Sequence, residues 1–244
     1  MENSGETTGL LLMVQINCDP RHWREFNTWY NNHLPNFLRV PGYLWAQRYV
    51  GLDDPTRFTA LYGIRGREDL DSLYLWDGPT VHPIVKGEYA GFLGLQGMSD
   101  RLANVYEQIS GTPLRGPLLT SDRPLSLVTA DVDPVYEEEW DRWYTESHVP
   151  NLLKVPGYVM AGRFRTLDHP AVRRFNSGPK YLALYECESE DAIDRNLRRG
   201  DNMHPEARAE LDRWISYGIP KVSRFRWGFH RMISKHYKWE PGAA

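Results

Sequence analysis

Two histidines stand in nearly the same surroundings. Trp29-Tyr30-Asn31-Asn32-His33-Leu34-Pro35-Asn36 runs on to Val40-Pro41-Gly42-Tyr43, and Trp143-Tyr144-Thr145-Glu146-Ser147-His148-Val149-Pro150-Asn151 runs on to Val155-Pro156-Gly157-Tyr158. An imidazole exchanges its proton near neutral pH and is tuned by its neighbours, so His33 and His148 are candidate general acid/base groups. The competing reading is a buried imidazole bonded to a carbonyl that the following proline frees. Tyr30, Tyr144, Tyr62 and Tyr185 offer hydroxyls to a carbonyl or phenolate, or else pack as ordinary core. Arg48 and Arg163 lie mid-strand among apolar residues, where a guanidinium needs a partner. That partner is either a developing enolate or carboxylate, or an acid such as Glu186 or Glu107. His82 and His204 each precede a proline. They read as loop imidazoles that could act as a second acid or a haem ligand, or as structural residues. Trp23, Trp29, Trp45, Trp76, Trp140, Trp143, Trp214 and Trp227 can line an apolar cavity or fill a core. Trp29, Trp45, Tyr62, Trp143, Tyr185, His82 and His204 are the expected substrate-contacting set.

Other chemistries lack their residues. No G-x-S-x-G elbow, Walker loop, H-E-x-x-H or carboxylate cluster is present. Gly87, Gly91, Gly94 and Gly97 do not form G-x-G-x-x-G after a strand. They read as an irregular or mobile lid over residues 86–98. The two cysteines, Cys18 and Cys187, form no C-x-x-C pair, so neither a zinc site nor a disulfide framework is expected.

The candidate residues are duplicated because the chain is. His33 and His148, Pro41 and Pro156, and Arg48 and Arg163 are each 115 residues apart. Upstream of the histidine the second copy carries one extra residue. Tyr62 and Tyr185 are 123 apart, and Glu68/Glu190 and His82/His204 are 122 apart, so about eight residues are inserted within 166–180. The expected units are residues 1–109 and 125–233, joined by a Gly/Pro/Ser-rich linker over 110–124 and followed by a tail over 234–244.

Each unit reads β-α-β-β-α-β. Apolar β-branched runs at 10–17 and 125–132 end at Asp-Pro, a helix-start signal. The following helices carry Trp, Tyr and His on one face and are expected to break at the proline after the histidine. Further strands are expected at 43–50, 58–64 and 104–109, and at 158–165, 181–188 and 223–232. This is the ferredoxin-like α+β unit, twice. One face of each sheet is left for burial, so the two sheets should close into a pseudo-dimeric eight-stranded barrel with helices outside.

The Trp-Tyr…His-x-Pro…Val-Pro-Gly-Tyr pattern, with an arginine in the next strand, resembles the EthD-like branch of the dimeric α+β barrel superfamily. The resemblance covers both halves. It implies the barrel fold, as a homodimer fused into one chain. It also implies one of several activities: cofactor-free isomerisation, cyclisation or oxygenation of small molecules, or haem chemistry as in chlorite dismutase, dye-decolourising peroxidase and aldoxime dehydratase. The family's acids before the histidine are only partly kept, with Asn31-Asn32 in one copy and Glu146 in the other.

The resemblance, joined to the His-Arg-Tyr set and the aromatic lining, implies a cofactor-independent lyase, isomerase or cyclase. Its substrate would be a small aromatic or polyketide-like molecule. His33 or His148 would be the acid/base, with Arg48 or Arg163 and Tyr30 or Tyr144 stabilising an enolate. No metal is expected. Haem, cofactor-free oxygenation and non-catalytic binding of an aromatic ligand are the alternatives. The 244 residues carry 29 basic and 32 acidic side chains, a net charge of −3, with no footprint for nucleic acid or an anionic membrane. No apolar run suits a signal or a span, so a cytoplasmic protein is expected, with further homodimerisation left open. The 9 Trp, 14 Tyr and 8 Phe favour a planar apolar substrate.

Overall fold

The computed structural model describes residues 8–74, 80–113, 122–234 and 237–238. Trp76 and most of the expected linker lie outside them. The first half supplies β1 (Leu10–Cys18), β2 (Tyr43–Gly51), β3 (Arg57–Ile64) and β4 (Met98–Gly111). The second supplies β5 (Leu125–Val132), β6 (Tyr158–Thr166), β7 (Tyr181–Cys187) and β8 (Val222–Met232). The strand order is β4-β1-β3-β2 in one half and β8-β5-β7-β6 in the other, and all pairings are antiparallel. β2 pairs with β8 and β4 with β6, which closes an eight-stranded barrel around a pseudo-two-fold axis. A short β9 (Tyr237–Lys238) adds to the start of β2.

Alternation along the strands builds two kinds of core. Leu11 and Met13 face inward and meet Leu61, Leu125, Leu127, Leu182 and Leu184 in a core shared by the halves. Leu10, Leu12 and Ile16 face outward under the first half's helices. Neither half can bury its inner face without the other.

The helices are α1 (Trp23–Phe37), α2 (Leu70–Tyr74), α3 (Pro83–Gly94), α4 (Glu137–Trp143), α5 (Val149–Leu152), α6 (Glu190–Ala192) and α7 (Pro205–Arg213). Three expectations are corrected here. The glycine-rich 86–98 segment is not a lid, because α3 occupies most of it. Gly91 is needed there, since a Cβ would sit 2.9 Å from the Trp29 indole nitrogen where α1 crosses α3. The prolines do not stop the helices either. Pro35 lies inside α1, and the helix runs two residues further. In the second half a π-helical turn, Tyr144–His148, links α4 to α5. This turn absorbs the extra residue between Trp143 and His148, because a π turn holds one residue more than an α turn. Finally, His82 and His204 are helix caps. Their Nδ1 atoms accept from Ile84 N (3.2 Å) and Glu206 N (3.3 Å), each with a proline at the first helical position.

The inserted segment serves the opposite half. Leu167, Ala171 and Val172 belong to the first half's outer core. Phe175 packs on Tyr74 at 5.1 Å, and Arg101 lies over its ring at 5.4 Å.

Candidate functional site

In the first half α1 presents His33 towards α3 and the sheet. His33 Nδ1 lies 2.9 Å from Glu88 Oε2, and Asn36 Nδ2 donates to Glu88 Oε1 at 2.6 Å. His33 Nε2 lies 3.1 Å from the Tyr62 hydroxyl. Trp29 stacks on the imidazole at 4.1 Å, with planes 18° apart. Burial lowers the His33 pKa although Glu88 opposes it. Burial would raise Glu88, but the bonds from His33 and Asn36 bring it below the usual carboxylate range. The neutral imidazole therefore donates from Nδ1 to a carboxylate and accepts at Nε2 from Tyr62. The cavity beside it holds only about 60 Å³, narrowed by Phe37, Phe92 and Phe175.

The second half repeats the carboxylate and its asparagine and changes the surroundings of the imidazole. Glu210 of α7 accepts from Ser147 Oγ at 2.7 Å and Asn151 Nδ2 at 3.2 Å, and it stands 3.5 Å from His148 Nδ1. Its pKa is brought down to about 2, burial being outweighed by His148, Ser147 and Asn151. Burial again lowers His148. Tyr185 does not cover this imidazole, because its hydroxyl lies 3.3 Å from that of Tyr144. His148 Nε2 thus has no hydrogen-bond partner among the described residues. It borders a cavity of about 180 Å³ lined by Tyr144, Tyr158, Tyr185, Met203, Trp214 and Trp227 among others. Trp214 lies 5.3 Å from the His148 ring, tilted rather than stacked, and lines the cavity, while Trp143, the counterpart of Trp29, contacts the imidazole at 5.0 Å without lining it.

Of the expected residues, His33, Tyr30, Tyr62 and Trp29 share one cavity, and His148, Tyr144 and Tyr185 share the other. The rest do not join them. Arg48 lies beneath Tyr30, 4.0 Å from the ring centre, and donates to Asn27 Oδ1 at 3.0 Å. Arg163 lies 4.5 Å from the Tyr144 ring centre and pairs with Asp141 at 2.6 Å. Neither lines the cavity of its own histidine, and neither meets Glu186 or Glu107 in an ion pair. Trp45 faces the barrel interior and donates to Thr8 Oγ1 at 2.9 Å. Trp143 is buried behind Trp214, with the two rings nearly parallel. His82 and His204 are occupied in capping.

Two carboxylates escaped the sequence reading. Glu88 and Glu210 are 122 residues apart, the spacing of His82 and His204, and Asn36 and Asn151 are 115 apart, the spacing of the histidines. The repeat therefore carried both signals. Among the described residues no cluster of three metal-binding side chains occurs, and no helix is long and apolar enough to cross a membrane.

Fold and site together define a tandem ferredoxin-like protein of the dimeric α+β barrel type, with one Glu–His–Asn set in each half. An anthrone oxidase-like protein superposes with TM-score 0.63 over 98% of both chains at 13% identity. A protein of Fusobacterium nucleatum described as a "Putative monooxygenase" superposes with TM-score 0.60 over 94% of both chains at 11% identity. An ethyl tert-butyl ether d (EthD) family protein of Bacillus halodurans aligns with 43% of this chain and 96% of its own, at 15% identity and TM-score 0.33. A domain of unknown function, DUF4286, matches residues 126–224. No curated protein matches the sequence.

Proposed function

We propose that the second-half cavity is the active site of a cofactor-independent enzyme that removes a proton from a small aromatic substrate. The observation that carries this reading is the free Nε2 of His148 on an aromatic cavity, with Glu210 behind Nδ1. A neutral imidazole at pH 7 is competent to accept a proton from a phenolic hydroxyl or an acidic C–H. The imidazolium so formed is stabilised by the Glu210 carboxylate. The oxyanion left on the substrate meets the Tyr144–Tyr185 pair: one hydroxyl donates to the other, and the second keeps its proton for the substrate. These tyrosines take the role first expected of Arg163, whose charge is already spent on Asp141.

Proton removal is the common first step of isomerisation, cyclisation and cofactor-free oxygenation. The names of the two long structural neighbours favour the oxygenation branch, and at their identities the likeness extends to fold alone. Haem fits poorly. Both ring nitrogens of His33 are engaged, and the space at His148 is below the roughly 300–1,000 Å³ of drug-sized sites, whereas a tetrapyrrole needs more.

Hydrogen–deuterium exchange tests the reading without knowledge of the product. Anthrone and a one-ring phenol with an exchangeable ring position are incubated with the protein in D₂O and followed by NMR. At least one should exchange faster than in buffer. His148→Ala should lose about 10²–10⁴-fold, the usual worth of a general base, while His33→Ala keeps most of the rate. Exchange equal to buffer for both probes, or full exchange in His148→Ala, overturns the proposal. Oxygen uptake then separates oxygenation from isomerisation.

A further inference from the structure

The two ends of the barrel are not alike. Asn104 of β4 lies opposite Met13, and Gly228 of β8 holds the equivalent place opposite Leu127. At Asn104 the mouth is filled by the end of the insertion. Asn104 Nδ2 donates to the Pro179 carbonyl at 2.7 Å, the Tyr106 hydroxyl donates to the same carbonyl at 3.0 Å, and Gly178 N donates to Asn104 Oδ1 at 2.7 Å. At Gly228 the corresponding connection is only residues 52–56, and its Asp53 and Asp54 line the space without filling it. A cavity of about 410 Å³ remains between Gln15, Arg57, Asp100, Leu127, Thr129 and His230.

Two buried side chains with polar atoms face this space, and one of them is an unsatisfied hydroxyl. Thr129 is 2% exposed, and its hydroxyl has no partner. His230 is 5% exposed, with Nδ1 3.1 Å from the Gly228 carbonyl. Nδ1 must donate there, which leaves Nε2 as an acceptor. Burial holds this imidazole neutral, with its pKa lowered to about 4. The charges in the lining do not favour an anion: Arg57 and Arg226 both pair with Asp100, Arg57 also holds Gln15 Oε1 at 3.2 Å, and the further carboxylates Asp53 and Asp54 face the same space.

We infer that this open mouth is a second binding site, for a small uncharged ligand bearing an amide or hydroxyl group. The ligand's N–H or O–H donates to His230 Nε2, and the Thr129 hydroxyl completes its bonding. The filled mouth supplies a partial template, since there the Pro179 carbonyl satisfies Tyr106, the counterpart of His230. The inference is independent of the chemistry proposed at His148.

Nitrogen-15 labelling of the histidines in the intact protein allows a direct test with benzamide, benzyl alcohol and benzoate. Benzamide and benzyl alcohol should each move the His230 ring resonances saturably, and benzoate should not. Thr129→Val should weaken the binding about tenfold. Gly228→Asn, which restores the side chain of the filled mouth, should abolish it while the His148 resonances stay in place. The site is overturned by an absence of saturable change at His230 with both neutral probes. Equal binding of benzoate, or undiminished binding in Gly228→Asn, overturns it as well.

Discussion

The Tyr62 hydroxyl lies 3.1 Å from His33 Nε2 and closes the remaining nitrogen of that imidazole. Removing it should cost stability rather than activity. Tyr62→Phe leaves a buried acceptor unpaired, and a loss of about 1–3 kcal/mol is expected in urea unfolding. The exchange rate on aromatic probes should stay at the wild-type level, since the adjoining cavity remains narrow.

The pH dependence of exchange follows from the lowered pKa of His148. Only the neutral imidazole accepts a proton, so the rate should be flat through neutrality and fall in acid, with the midpoint below the ordinary histidine value of 6.5. Glu210 works against that lowering. Glu210→Gln should therefore move the acid limb to lower pH while reducing the plateau rate. A limb that moved upward would contradict the assigned pairing.

Stability should fall in acid for two reasons of the same sign. His148 binds its proton more weakly when folded, so stability is lost as pH drops below the unfolded histidine pKa. Glu210 is depressed from 4.5 to about 2, so its contribution is present above 4.5 and is lost as pH falls towards 2. Urea midpoints measured between pH 7 and pH 3 check both, and in Glu210→Gln the second decline should be smaller, the remainder coming from other lowered carboxylates such as Glu88.

His204→Ala should remove a helix cap and cost about 1 kcal/mol, whereas His204→Asp should restore it. Neither change should alter exchange on aromatic probes. An activity loss in His204→Ala that Asp does not rescue would return this residue to the binding site.

The barrel was legible because the repeat, the Asp-Pro starts and the Val-Pro-Gly-Tyr turns are all local signals. Gly42 and Gly157 adopt φ of 109° and 110°, where only glycine is at ease, so these turns could be read directly from residue type. The site was half legible. Helical spacing placed Trp29, Tyr30 and His33 on one face, but Arg48 could not be resolved in this way. Its strand position fixes the face it occupies, while its depth beneath α1 depends on packing with Tyr30 and Asn27. The α3 segment was misread because four glycines outweigh helix propensity in isolation. Contact with Trp29 and the His82 cap reverse that balance.

The crossing of residues 166–180 into the opposite half carries a consequence for how such a chain can change. In a symmetric homodimer every inserted loop appears twice, and both cavities narrow together. Fusion into one chain lets a loop added to one copy narrow only its twin's cavity, while its own stays wide. Phe175, encoded in the copy that keeps the open cavity, narrows the other, so the two copies have become specialised and can no longer be interchanged.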